Sequence, residues 1–316
     1  MTLRTGFPVI LPKQGNSMIQ KKTYLQLKRK QNFLAWILLA PSLIFLLSFT
    51  IFPILRSFYL GFTEYGLGMP KPDFIGIKNY IGFAKSPIFW KIMGNTLFFS
   101  LLTVIPSMVI GLGLALIVNI KMRGIGFFRT AWFYPVVMPM IAIASIWMFI
   151  YMARTGMLDQ LLFKFGFKPL EVLSNRQTVL PAMSVMYVWK EAGYLMIFFL
   201  SGLQNISLDL YEAATIDGAN PFTIFRRITL PMLGPVLLFV STIALTNSLK
   251  LVDHIVIMTE GAPNNASTML LYYIYQQAFT FFDHGKASAL TVIMLAIMLF
   301  VSMFQFVKTD RKIYYN

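Results

Sequence analysis

Apolar residues gather into long runs along the chain, and basic residues stand at the ends of those runs. A helix needs roughly 20 apolar residues to cross a hydrocarbon core of about 30 Å. Six stretches reach that length: Phe33–Leu55, Thr96–Val118, Ala131–Tyr151, Val179–Leu203, Met232–Val252 and Ala287–Val307. Pro41, Pro53 and Pro106 lie within or near them, which neighbouring helices tolerate in a bilayer. The first run is too long for a signal-peptide core and has no small-residue cleavage site, so it is expected to stay as an anchor. The pattern predicts an all-α integral membrane protein. Residues 1–32 form a basic tail, 33–307 a six-span domain and 308–316 a second tail.

Charge sets the expected orientation. Lys21, Lys22, Lys28, Arg29 and Lys30 stand before the first span; Lys121, Arg123 and Arg129 occupy the second connection; Lys308, Arg311 and Lys312 follow the last span. With six spans these segments and the loop 204–231 share one side. The positive-inside rule makes that side cytoplasmic, with both termini on it. The net charge of +15 is therefore explained by topology, and nucleic-acid binding is not expected. Met1–Ser17 is unpatterned, while Met18 begins a basic lead-in, so either residue 1 or residue 18 serves as the start.

Composition removes several chemistries. The chain has no cysteine, which excludes disulfides, a thiol nucleophile and Cys-based metal sites. No phosphate-binding loop is present: Gly285-Lys286 is followed by Ala287 and lacks the upstream glycine. There is no His-Glu-x-x-His motif, and His254 and His284 read as loop histidines without ligand roles. No Ser/His/Asp grouping has usable spacing, so no catalytic residue and no metal ligand is assigned.

One segment is unlike the rest. Between the fourth and fifth spans runs a polar island, Tyr211-Glu-Ala-Ala-Thr-Ile-Asp-Gly-Ala-Asn-Pro-Phe-Thr-Ile-Phe-Arg-Arg-Ile-Thr-Leu-Pro231. Ser207 is placed to cap a first helix with Asp209 in its first turn, and Gly218 to end it in a left-handed conformation. Asn220 and Pro221 then start a second helix, expected to finish near Arg226 and Arg227, with Pro231 marking entry to the next span. Helices of about ten residues reach only about 15 Å and cannot cross the bilayer. The island is thus a helix-turn-helix at the membrane surface. Ala213, Ala214 and Ala219 allow close approach, Glu212 and Asp217 offer carboxylates, and Phe222, Phe225 and Ile228 offer apolar anchors. Taken singly, these residues suit an amphipathic surface helix with no partner better than a docking site.

Taken together, Glu212-Ala213-Ala214-x-x-Asp217-Gly218-Ala219 and Phe225-x-x-Ile228-x-Leu230-Pro231 resemble the EAA loop of ATP-binding-cassette importer permeases. Phe74-Ile-Gly-Ile-Lys-Asn-Tyr80, Asn95-Thr96, Phe128-Arg129 with Pro135 and Trp147, and Thr259-Glu-Gly-Ala-Pro263 resemble further signatures of its carbohydrate-uptake branch, which handles oligosaccharides and glycerol 3-phosphate. Ala262 departs from the usual second glycine of the last motif. The resemblance covers about residues 30–316 and implies the type I importer permease (MetI-like) fold in a bacterial inner membrane. It also implies partners: a second, non-identical permease, two copies of an ATPase that binds ATP and magnesium, and an extracytoplasmic solute-binding protein. The island would be the coupling helix that docks on the ATPase.

Charged residues inside a span cost about 2.5–3.5 kcal/mol at the helix centre and normally face water or another helix. Lys190 and Glu191 sit midway along the fourth span, beside Trp189 and Tyr194. In the fifth span Thr242, Thr246 and Lys250 recur every four residues, with Asn247 close by. Aromatic faces and hydroxyl-binding groups together suit a sugar. Helix–helix packing or snorkelling is the other reading of Lys190 and Glu191. Two further classes stay open. Gradient-driven uptake in ATP-depleted vesicles would mark a secondary transporter, and product formation by the isolated chain a membrane enzyme or assembly factor.

Overall fold

The computed structural model describes residues 17–120, 122–166 and 171–310. Residues 1–16, with the first of the two start positions, and Lys121, Arg311 and Lys312 lie outside the described residues. Residues 1–56 make up one unit. In it α1 (Ser17–Leu46) leads through a π-helical turn, Leu47–Ile51, into the start of α2 (Phe52–Gly61). Pro53 has no N–H to continue the α ladder, and the wider π spacing takes up the defect, with Phe52 N–H donating to the Leu47 carbonyl. The stretch Gln31–Gly61 is long and apolar enough to cross a membrane. Its Phe33, Trp36 and Leu38 side chains are exposed, as side chains facing lipid are.

The second unit, residues 57–316, carries the rest. A two-stranded antiparallel ribbon, β1 (Thr63–Glu64) and β2 (Asp73–Phe74), precedes α3 (Lys78–Lys85) and α4 (Pro87–Val118). Next come α5 (Ile125–Val137), α6 (Met140–Ile150), α7 (Met157–Lys164) and α8 (Val179–Gln204). The island supplies α9 (Leu208–Ile216), α10 (Pro221–Ile224) and α11 (Leu230–Met232), with a π turn at Phe225–Thr229. Helices α12 (Gly234–Leu249), α13 (Asp253–Met258), α14 (Leu270–Tyr275) and α15 (His284–Asp310) complete the described residues.

Three described helices are long and apolar enough to cross a membrane, or up to five when each of two bent pairs counts as one span. These five and the 26-residue α8 occupy the six stretches read from the sequence. The second begins earlier than expected, because the Ser86 hydroxyl accepts from Phe89 N–H and Pro87 fills the first helical position. Two spans are corrected by the structure. The third is not one straight helix over Ala131–Tyr151: α5 and α6 meet at 98°. Met138 and Pro139 between them are extended, since a residue before proline avoids the α region and Pro139 has no N–H to give. The fifth does not start at Pro231. The second island helix does not end near Arg226 and Arg227 either, but passes through the π turn to Met232, and α12 departs at 68° from Gly234. Pro231 and Pro235 each remove a ladder donor, which accounts for both the π spacing and the break.

Parallel packing of α4 against α8 forms the middle of the unit. Gly111 makes it possible: an added Cβ there would stand 3.1 Å from the Ala192 carbonyl and 3.3 Å from Met196 N. Membrane helices pack this way because small residues let backbones approach when no hydrophobic drive separates helix from lipid. One buried cluster joins Phe99, Ile143, Met183, Met186 and Ile255; another joins Ala115, Leu195, Phe199, Leu203 and Leu233. His254 is not the loop histidine expected from sequence. It is fully buried on α13 and stacks on Phe99 with ring centroids 5.5 Å apart.

The signatures before, at the start of and between the spans are ties. Asn79 donates to the Gly61 and Thr63 carbonyls at 3.2 and 2.9 Å, and Gly76 turns the chain with φ +65°. Asn95 donates to the carbonyls of Asn265 and Thr268 at 2.9 and 3.0 Å, while the Thr96 hydroxyl accepts from Leu270 N–H at 2.9 Å. The third turn of α4 is thereby fixed to the turn after α13. Removing both Asn95 bonds by Asn95→Ala leaves two carbonyls without their donor, a loss of about 1–3 kcal/mol. The expected result is a lower melting temperature of the purified chain in detergent; an unchanged melt would remove this role. In that turn Gly261 has φ +85° and an added Cβ would meet the Thr268 hydroxyl at 2.5 Å, whereas Ala262 has no positive φ. The departure at Ala262 is accommodated because that position needs no left-handed residue.

Candidate functional site

The island is built as its residues dictate. Ser207 Oγ accepts from Asp209 N–H at 3.3 Å, and Asn220 Oδ1 accepts from Thr223 N–H at 2.8 Å. At the end of α9, Ala219 N–H donates to the Ala214 carbonyl and Gly218 N–H to the Thr215 carbonyl, both at 3.0 Å. With Gly218 at φ +76° this is a Schellman ending. The Tyr211 hydroxyl meets the Thr229 hydroxyl at 3.2 Å and pins α9 to the π turn, where Thr229 is buried. The island is thus an elbow capped at its helix ends and joined to α12 through Leu233.

What the elbow presents is exposed. No residue of α9 is buried, and Glu212, Ala213, Asp217 and Gly218 are all open. Ile216 is 86% and Phe222 70% exposed, an apolar pair flanking the carboxylates. Ala214, Ala219, Phe225 and Ile228 are half-buried, while Leu230 and Pro231 remain exposed. Beside the elbow a crevice of about 610 Å³ is lined by Asn119, Arg129, Gln204, Leu208 and Tyr211 among others. Of these, Arg129 is held by two bonds: Nε and Nη2 donate to the Val118 carbonyl at 3.3 and 2.9 Å, capping the C-terminus of α4.

The solute-path candidates are brought together only in part. Trp189 is 41% exposed and lies 6.0 Å from Trp147, which in turn lies 5.3 Å from Tyr151. Tyr194 packs edge-on to Phe198 at 5.1 Å. Glu191 is buried, and its Oε1 accepts from Asn247 Nδ2 at 3.0 Å. Lys190 Nζ donates to the carbonyls of Pro135, Val136 and Met138 at 3.2, 3.2 and 2.9 Å. Thr242 donates to Gln305 Oε1 at 3.3 Å, and Thr246 is half-buried. Lys250 falls beyond the end of α12 as its C-cap, so the expected four-residue stripe stops at Thr246.

Sequence reasoning missed four participants: Pro139, Gly193, Gln305 and the capping role of Arg129. Only Pro139 left a readable signal, a proline in mid-span, which biases the residue before it away from the helical region. Gly193 is one of 20 glycines and nothing in its neighbours marks it. An added Cβ there would fall on the Trp132 carbonyl oxygen of α5.

A family model described as the binding-protein-dependent transport system inner membrane component matches residues 137–312. The sulfoquinovosyl glycerol transport system permease protein SmoG of Agrobacterium fabrum is 32% identical, covering 85% of this chain and 88% of that protein. The trehalose/maltose transport system permease protein MalF of Thermococcus litoralis is 30% identical, covering 87% and 92%. The fold superposes on a chain of a bacterial ABC transporter involved in the import of the acidic polysaccharide alginate. That match has a TM-score of 0.80 at 23% identity and covers 91% of this chain and 99% of that one.

Proposed function

This chain belongs to the binding-protein-dependent transport system inner membrane components, transport permeases rather than enzymes, and we propose that it forms the translocation path of a bacterial importer for oligosaccharides or related glycosides. The relatives at 30% identity or more reported above are named for glycosidic solutes, which supports a carbohydrate over glycerol 3-phosphate. The observation that carries the coupling part is the capped Glu212–Pro231 elbow, with Glu212, Ala213, Asp217 and Gly218 exposed, in a chain with no phosphate-binding loop of its own. Glu212, Ala213, Ala214, Asp217, Gly218, Ala219, Phe225, Ile228, Leu230 and Pro231 form the dock for a separate ATPase. Two ATPase copies, a second and non-identical permease and an extracytoplasmic binding protein complete the assembly, with both termini of this chain in the cytoplasm. ATP-driven closure moves the elbow, and α12 carries that motion into the spans.

The solute path is proposed to run past Trp189, Tyr194, Thr242, Thr246, Asn247 and Lys250, where an aromatic platform and hydroxyl-binding groups combine. Lys190 and Glu191 are assigned to holding the helices that frame it.

Because the chain has no native cysteine, a single introduced one reports unambiguously. Ala213→Cys and Gly218→Cys, treated with a short bifunctional crosslinker in intact membranes, are expected to capture a nucleotide-binding subunit. If neither position captures one, the docking assignment fails.

A further inference from the structure

A broken span poses a problem that α8 solves. When α5 stops at Val137, its last carbonyls lose the N–H groups that a continuing helix would supply. In a bilayer no water replaces them, so the break survives only if protein groups satisfy those oxygens. The carbonyls of Val136, of Pro135 (which also takes Met138 N–H at 3.3 Å) and of Met138 in the extended link all converge on one ammonium group. An ammonium has three protons and no acceptor, so three carbonyls saturate it. Its charge also sits at the negative end of α5, where a cation is favoured. The charge that looked costly in the sequence is therefore matched to the defect beside it.

We infer that Lys190 is a positioning residue that holds the two halves of the third span, α5 and α6, at a fixed angle throughout the transport cycle. Three consecutive side chains of α8 reach three different elements. Trp189 lies against Trp147 of α6, Lys190 caps the break, and Glu191 binds Asn247 of α12. Since α12 continues from the elbow, α8 receives motion through Glu191 and imposes it on both halves of the third span through Trp189 and Lys190. Without the ammonium, the halves would hinge at Met138–Pro139 instead of following α8. This deepens the coupling reading above but is tested separately from it.

The test uses paired spin labels at Tyr134→Cys on α5 and Phe149→Cys on α6, both exposed positions, in the assembled transporter with its other subunits made cysteine-free. Distances are measured by pulsed electron resonance without nucleotide and with ATP and vanadate. The expected parent result is one narrow distribution, the same in both states. Lys190→Met should widen it at least twofold, while Lys190→Arg, which keeps a charged multiple donor, should keep it narrow. A narrow distribution in Lys190→Met overturns the inference. So does a parent distance that shifts with nucleotide, or an Arg variant as broad as the Met variant. The label pair lies wholly within the third span, so its width in the nucleotide-free state stands whether or not the elbow docks an ATPase. Failure of the docking reading would show only in the crosslinks at Ala213 and Gly218.

Discussion

Glu212→Lys is expected to reduce solute uptake at least tenfold while leaving the chain folded and at normal abundance in the membrane. Glu212 is exposed on a helix with no buried residue, and substitutions of that kind change stability by less than about 0.5 kcal/mol. In the proposed complex the same carboxylate meets a basic groove. Truncating one partner of a buried interfacial charge pair costs about 2–5 kcal/mol, and each 1.4 kcal/mol is a factor of ten in affinity. Reversal adds repulsion, so tenfold is a lower bound. The measurement is uptake in cells against the amount of chain in the membrane fraction, with crosslinking from Gly218→Cys as the readout of docking. Normal uptake with a retained crosslink would remove Glu212 from the interface. Loss of the chain from the membrane would instead place Glu212 in folding, against its exposure.

The second large effect belongs to a residue with no side chain. Gly193→Val should abolish transport and lower the yield of folded chain, and even Gly193→Ala should do so in part. The Cβ would overlap the Trp132 carbonyl oxygen, and both partners are helical backbone, so no rotamer change relieves the contact. Overpacking usually costs about 1–3 kcal/mol when side chains can adjust, and more where they cannot. The displacement would fall on α5 one helical turn from the Lys190 bonds, drawing the carbonyls of Pro135 and Val136 away from their donor. Gly113→Ala on α4 is the control, because nothing lies within 4 Å of a Cβ there. It should fold normally and gain up to about 1 kcal/mol of helix propensity. Thermal unfolding in detergent and uptake separate the two variants; equal melting points would show that the α5–α8 contact yields more readily than its geometry implies.

Much of the elbow was legible in the sequence because its signals are local. Ser207, Gly218, Asn220 and Pro221 each act on backbone groups within a few residues, and all four do what their chemistry predicts. The far end was not legible. Arg226 and Arg227 suit a helix terminus by charge, yet the helix runs past them, because prolines at 231 and 235 decide where donors are missing. The solute-path residues were the least legible, since a helical stripe shows which side chains share a face but not what stands opposite it.

The sequence by itself determined where the chain is apolar enough for a bilayer, where the basic residues stand relative to those runs, and which loop is polar and capped at its helix ends. These follow from transfer free energy, charge and hydrogen bonds between near neighbours. Only the tertiary structure decided that Lys190 serves the ends of another helix, that Glu191 is joined to Asn247 and that Gly193 must remain bare. Each depends on atoms more than 50 residues apart along the chain meeting within a few ångström, and no local pattern encodes such a meeting.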